Sequence, residues 1–455
     1  MRIPGKEIRK RIPSLLALAG VSLALAVLTV PLSARADEAP QPTIIRAGKF
    51  FDSEKGVFLK DQYITVTNKS VTAVGPGPVA DKNAKIIDLS RYTVLPGLVD
   101  CHTHLLFLEE IGPQAGLSTE SLKSIVIEGD ALRALRGAAR AKTFLEAGIT
   151  TVQDLGNCGQ YADIALRQAI AEGSVPGCRL RVSGPGLSAE GGQIPGLLFK
   201  HLPLVADEYR VVHGVDDAVQ AVREHVIMKV DVIKIYSDST PNLARLSVEE
   251  MTAIVKEAHR YGLRVTTHAT RDVSIKDAVL AGVDGIEHAY QFTDETLQLM
   301  KDKNVVVVPT LLDKQNLDIY MKLSGLAGTP TAAAQYTAMA KMSQDLIGRL
   351  MKAGVTIASG SDDYVDFKIP QGQGAKRVLF AYAEAGMSVL DILKTTSINA
   401  AKQLRLENRI GVIKPGAFAD VIAVEGDLEK DIRALDNIRF VMKDGAVYVS
   451  PPKKS

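Results

Sequence analysis

Cysteine is scarce in this chain of 455 residues: there are three, Cys101, Cys158 and Cys178. That is too few for a disulfide framework, so a packed core must hold the fold. A Cys158–Cys178 bridge stays open, while Cys101 lies in an apolar strand pattern and reads as core. An excess of one charge is also missing. Without its first 36 residues the chain carries 48 basic and 51 acidic side chains, net −3. A balanced, mildly acidic surface gives nucleic acid no electrostatic footprint. The long apolar run, Leu15 to Leu32, is confined to the N-terminus. Basic residues Arg2, Lys6, Arg9, Lys10 and Arg11 precede it, and the small-x-small triplet Ala34-Arg35-Ala36 follows. This is the form of a secretory signal peptide, residues 1–36, cut after Ala36. Its removal would leave an exported, periplasmic or secreted protein with no membrane partner. A retained single-span anchor is the rival reading. The whole chain is 46% hydrophobic and 23% charged, the composition of a chain with a large core.

Two stretches of short alternating strands frame the chain. TIIRAGKFF, YITVTN, SVTAVG and AKIIDL open it; ADVIAVEG and IRFVMKDGAVYV close it, with Asp444-Gly445 as a hairpin turn. Pairing the two sets makes one small β-sandwich from residues 37–93 and 409–455 and leaves no orphan sheet edge at either end. Between them, residues 94–408 alternate apolar strand and amphipathic helix. Strands are expected at LPGLVDCHT, ITTVQDL, RLRVSG, DVIKIYS, LRVTTHA, DGIEHA, VVVVPTL and VTIASGS, several introduced by helices that end in Gly. Eight such units define an α/β fold of the (β/α)8 TIM-barrel type, with an open doubly wound sheet as the alternative.

Histidine is sparse too, with eight in the whole chain. Two of them end the first barrel strand in LPGLVDCHTHLLF. Alternation puts His102 and His104 on one face and Thr103 on the other. Strand four carries Lys234 inside the apolar run DVIKIY, strand five ends in His268, strand six in His288, and strand eight runs to Asp362. In a barrel, all of these side chains reach the same C-terminal rim. His201, His213, His225 and His259 fall on helices or loops instead. A lone buried ammonium among imidazoles is costly. Either Lys234 pairs with Asp362, or its amine is deprotonated and reacts with CO2 to give an anionic carbamate.

HTH after LPGLVD, lysine on strand four, histidines on strands five and six and aspartate on strand eight together resemble the metal-dependent amidohydrolase superfamily. AGITTVQDLG, EAHRYGLRVTTHA, GIEHAY, EAGMSVLDILKTTSINAA and IKPGAFADVIAV resemble its imidazolonepropionase-like branch, which holds Xaa-Pro dipeptidases and N-acyl-amino-acid hydrolases. Lys234 argues against imidazolonepropionase itself, whose site is mononuclear. The resemblance implies two divalent metal ions, Zn2+ foremost. His102, His104 and Asp362 would hold one, His268 and His288 the other, with carbamylated Lys234 as the bridging ligand. It further implies amide-bond cleavage by a hydroxide shared between the metals, with Asp362 moving the proton to the leaving amine. Tyr236, on the face of Lys234, would donate to a developing oxyanion, or is an ordinary barrel aromatic. Asp363 is aimed elsewhere by alternation. Branch dipeptidases read Gly-Gly-His where this chain has Gly191-Gly192-Gln193, which loosens the expectation of strict dipeptidase specificity. The alternatives are a deaminase or cyclic-amide hydrolase on the same site, and a non-catalytic periplasmic binding protein. A homo-oligomer stays open.

Overall fold

Alternating apolar residues build a first sheet, and solid apolar runs build a second. The computed structural model describes residues 41–77, 82–112, 117–240 and 242–452. The expected signal peptide lies outside the described residues. The strands in chain order are β1 (Thr43–Asp52), β2 (Val57–Thr67), β3 (Ser70–Gly75), β4 (Lys85–Pro96), β5 (Leu98–Thr103) and β6 (Ile149–Asp154). Next come β7 (Arg179–Val182), β8 (Gly186–Ser188), β9 (Tyr209–Val211), β10 (Ile233–Tyr236) and β11 (Val265–Ala269). Then follow β12 (Gly285–His288), β13 (Val306–Val308), β14 (Val421–Val424), β15 (Ile438–Lys443) and β16 (Ala446–Val449).

The chain's two ends pair as the sequence indicates. A mixed sheet has the order β16-β15-β14-β4-β1-β2-β3, with β4 parallel to β1 and antiparallel to β14. Both halves of the expected sandwich therefore belong to one hydrogen-bonded sheet. It curls over: Ser70 bridges Phe418, and Val71 N donates to Ala417 O at 3.0 Å. A separate apolar core including Ile45, Ile64, Val94, Val421 and Phe440 fills the curl.

The central segment forms the α/β barrel-type layer, as parallel ladders β5-β6-β7 and β8-β10-β11-β12-β13, with the short β9 beside β8. Its third strand is split in two: β7 pairs with β6, and β8 pairs with β10. The eighth strand forms no regular ladder. Val307 bridges Ile357, and Cys101 N donates to Ser359 O at 2.8 Å, so residues 355–361 lie between β13 and β5 through single contacts. In β10 all four side chains are buried. Ile233 and Ile235 belong to the main core, while Lys234 and Tyr236 line a cavity, the pattern of a strand covered on both faces. Burying each such isoleucine contributes about 1.5–3 kcal/mol.

Helices deliver these strands with local signals. Ser247 and Glu250 form a reciprocal cap, Glu250 N donating to Ser247 Oγ at 3.1 Å and Ser247 N to Glu250 Oε2 at 2.8 Å. That fixes the start of the helix Val248–Arg260, which leads into β11. The helix Pro330–Ala353 stops at Gly354, whose φ of 73° is left-handed, and turns into the eighth strand segment. All three cysteines are buried and unpaired, so the Cys158–Cys178 bridge does not form. Among the described residues no helix is long and apolar enough to cross a membrane.

Candidate metal centre

The first barrel strand places His102 on β5 and His104 just beyond it, both buried. Hydrogen bonds decide which nitrogen of each ring carries the proton. His102 Nδ1 lies 2.7 Å from Glu287 Oε2, and His104 Nδ1 lies 3.1 Å from the Gly156 carbonyl. Carboxylate and carbonyl oxygens only accept, so both Nδ1 atoms donate, and a neutral ring then presents a bare Nε2. The two Nε2 atoms face each other at 3.2 Å. Asp362 Oδ1 stands 3.4 Å from the first and 3.1 Å from the second. With both rings neutral, three lone-pair atoms converge. Burial, and then the charge of Lys234, lowers the pKa of His102, which keeps that ring neutral. A cation is what such a trio lacks.

Asp362 reaches this position through two local features. Gly360 lets the eighth strand segment press against the first: a Cβ there would stand 2.4 Å from Val308 Cγ1 and 2.7 Å from His102 Cβ. Asp362 itself has a left-handed φ of 55°, a strained setting for a non-glycine residue that clusters at functional sites. Burial pushes its carboxyl up, but the neighbouring imidazoles, His102 first, outweigh this and hold it well below the ordinary value. Asp363 faces away, toward Arg140, with Oδ2 3.5 Å from the guanidinium.

His288 closes the group. Its φ of 73° breaks the alternation of β12, and its Nδ1 lies 2.7 Å from Thr310 Oγ1 and 3.8 Å from Asp362 Oδ2. His102, His288 and Asp362 each offer a ligand atom, all within 4.8 Å of one another. Burial, then the charge of His268, lowers the His288 pKa far below its usual value. His268 stacks edge-on to His288 with ring centroids 4.5 Å apart. Its Nε2 stands 3.5 Å from Asp238 Oδ1 and 3.3 Å from Gln193 Nε2.

Lys234 is 1% exposed and makes no hydrogen bond or ion pair among the described residues. The Lys234–Asp362 ion pair allowed by the sequence therefore does not form. Burial drives its pKa down, and Glu287 and Asp362 pull it back only in part. Its Nζ lies 5.3 Å from the centre of the Tyr236 ring. Strand register sets Tyr236 opposite His268, and burial raises its hydroxyl pKa well above the ordinary value.

All seven side chains singled out from the sequence line one cavity of about 460 Å³: His102, His104, Lys234, Tyr236, His268, His288 and Asp362. Of the other histidines, His225 is buried on the helix Val215–Ile227 and bonds to main-chain carbonyls. Sequence reasoning missed the supporting carboxylates. Glu287, fully buried, holds His102 and accepts a bond from the Thr266 hydroxyl. Asp238 accepts from Thr270 N at 2.9 Å and from Ser274 Oγ beside His268. Asp100 Oδ1 accepts from the amides of His102 and Ser361 at 3.1 and 3.0 Å, tying the two strands that carry His102 and Asp362. The signal available was an acid one or two residues before the histidine in GIEH and LVDCH.

The donor set, imidazole nitrogens plus a carboxylate with their own buried partners, fits a borderline divalent ion such as Zn2+. The model of the amidohydrolase family matches residues 93–448. Ochratoxinase of Aspergillus niger is 28% identical over 456 residues, covering 92% of this chain and 89% of its own length. A crystal structure of an amidohydrolase superposes with a TM-score of 0.78 at 29% identity, covering 91% of this chain and 100% of that one. A Xaa-Pro dipeptidase with methionine bound in its active site superposes at 0.76 with 27% identity, covering 90% and 100%.

Proposed function

This chain belongs to the amidohydrolase family, a hydrolase acting on amide C–N bonds, and from that premise we propose that it cleaves small amides at a two-metal site. Dipeptides such as Xaa-Pro and N-acyl amino acids are the substrates in view. The carrying observation is the convergence of three potential ligand atoms, His102 Nε2, His104 Nε2 and Asp362 Oδ1, within 3.4 Å of one another. Those three residues would hold one ion; His268 and His288 would hold a second. Bound metal would supply Lewis-acid polarisation of the scissile carbonyl and acidify water at neutral pH.

The protein's own groups do the rest. Lys234, buried without a counter-ion, favours its neutral amine. That amine adds to CO2 and loses one proton, giving a carbamate whose two oxygens replace a misplaced cation with an anionic ligand. Asp362, kept ionised, accepts a proton from the attacking water and returns it to the departing nitrogen. Without that proton an amide nitrogen is a poor leaving group. The Tyr236 hydroxyl donates to the oxygen of the tetrahedral intermediate. Export rests on the leader in residues 1–36.

The test is a panel of dipeptides and N-acyl amino acids with zinc-loaded protein, followed by amine release. Lys234→Ala is expected to hold less metal per chain and to lose turnover, with partial recovery when short carboxylic acids are added. Full turnover and full metal content in that variant would remove the carbamate. Ammonia release without a new amine-and-acid pair would overturn the peptidase-like reading in favour of a deaminase.

A further inference from the structure

The cavity is polarised. On its His104 side, Phe107 and Tyr364 form an aromatic pair with ring centroids 5.7 Å apart. On its His268 side stand Gln193, Thr240 and Arg271. Charge is distributed just as unevenly. Among the described lining residues the one carboxylate is Asp362, already engaged by imidazoles, while Arg271 carries a fixed positive charge.

Arg271 differs from the arginines whose charge is consumed inside the fold. Arg133 pairs with Glu208, Arg377 with Asp313, and Arg210 on β9 with both Asp217 and Glu224. No carboxylate lies within ion-pair distance of Arg271 among the described residues. Its guanidinium is nevertheless held: it donates to the Thr240 hydroxyl, which donates in turn to Asp238 Oδ1 at 3.0 Å. One edge of the fork is anchored on this relay, and the side chain lines the cavity. An anchored guanidinium is pre-organised for a carboxylate, because less freedom is lost when the anion arrives.

We infer that Arg271 binds the free carboxylate of the amino acid released by cleavage, and that the acyl half, seated against Phe107 and Tyr364, is neutral. This deepens the amide-hydrolase reading above and rests on it. A free dipeptide brings an α-ammonium into a cavity whose one described carboxylate is already engaged and whose Arg271 repels it. N-acyl amino acids therefore rank above free dipeptides, and an amide lacking the carboxylate loses its anchor.

Three probes separate these terms: N-benzoylleucine, N-isopentylbenzamide (the same amide without the carboxylate) and Phe-Leu. The wild type is expected to prefer the first in kcat/KM. Arg271→Gln should raise KM for N-benzoylleucine about 10- to 100-fold, leave its kcat within about threefold, and leave the neutral amide unchanged. Arg271→Lys should fall between. Equal effects on both amides, no effect, or a wild-type preference for Phe-Leu would overturn the assignment. If zinc-loaded wild type cleaves no amide at all, the hydrolase reading falls. The carboxylate site is then decided by calorimetry of N-benzoylleucine: weaker binding to Arg271→Gln than to wild type sustains it, and equal or absent binding overturns it.

Discussion

Replacing Glu287 by glutamine isolates what a buried partner contributes to a ligand histidine. Glu287 Oε2 accepts from His102 Nδ1 at 2.7 Å, and Oε1 accepts from the Thr266 hydroxyl. The side chain is 0% exposed, so no water can take over either bond. Glutamine keeps one carbonyl oxygen for Nδ1, and its amide can face Thr266 Oγ1, which then accepts. The bonds survive, but the charge does not. A hydrogen bond to a charged group is worth roughly 1.5–3 kcal/mol against roughly 0.5–1.5 for a neutral one. The difference, about 1–2 kcal/mol, corresponds to about 5- to 30-fold weaker zinc binding, overlapping the lower part of the usual range of about 10- to 100-fold for the partner of a ligand. Glu287→Leu strands the Nδ1 proton in an apolar site and should cost about 1–3 kcal/mol more. Equilibrium dialysis against a chelator-buffered zinc series, with metal measured by plasma mass spectrometry, reads both numbers. Wild-type affinity in Glu287→Gln, or a leucine variant no weaker than the glutamine one, would refute the claim that Glu287 orients His102.

Gly360→Ala forces a methyl to within 2.4 Å of Val308 and 2.7 Å of His102; chemical denaturation should show a loss of about 1–3 kcal/mol, with lower zinc occupancy. Burial raises the Asp100 carboxyl to about 7. A raised acid contributes stability that is full below its unfolded pKa near 3.8 and lost as pH climbs through 7. Asp100→Asn keeps Oδ1 for its two amides and changes only Oδ2, which has no partner. The stability of the asparagine variant, read by chemical denaturation, should therefore gain on wild type as pH rises from about 4 to 7, with a slope no steeper than about 1.4 kcal/mol per pH unit, and level off above; a constant offset would refute this. Tyr236→Phe should lower kcat about 100-fold with little change in KM if the hydroxyl meets the oxyanion, and steady-state kinetics on any cleaved amide will show it.

Much of the site was legible because strands alternate. Alternation put His102 beside His104, turned Lys234 and Tyr236 toward the same space, and sent Asp363 away toward Arg140. It failed where the backbone leaves the strand. Neighbours such as Glu287 and His288 should face opposite ways, yet the left-handed φ of 73° at His288 brings both to the centre. Asp238 and Arg271 sit on turns after their strands, where no period constrains a side chain. The split of the third strand into β7 and β8 follows a break at Ser183-Gly184-Pro185, with Gly184 at φ 66°. A single apolar run did not reveal that its halves would choose different neighbours. The eighth segment read as a strand from its composition, but Gly360 and the turn at Asp362 limit it to isolated bridges.

The pairing of β4 with β14 has a bearing on how the molecule is born. Pro96 lies opposite Val421, so one flank of β4 waits for a partner synthesised more than 300 residues later. Until then that flank is an open template, free to recruit the wrong strand from another chain. A nascent chain of this kind gains from being kept extended until its last 40 or so residues emerge. Trimming even a short C-terminal piece that reaches β14 would leave every copy permanently adhesive rather than merely inactive.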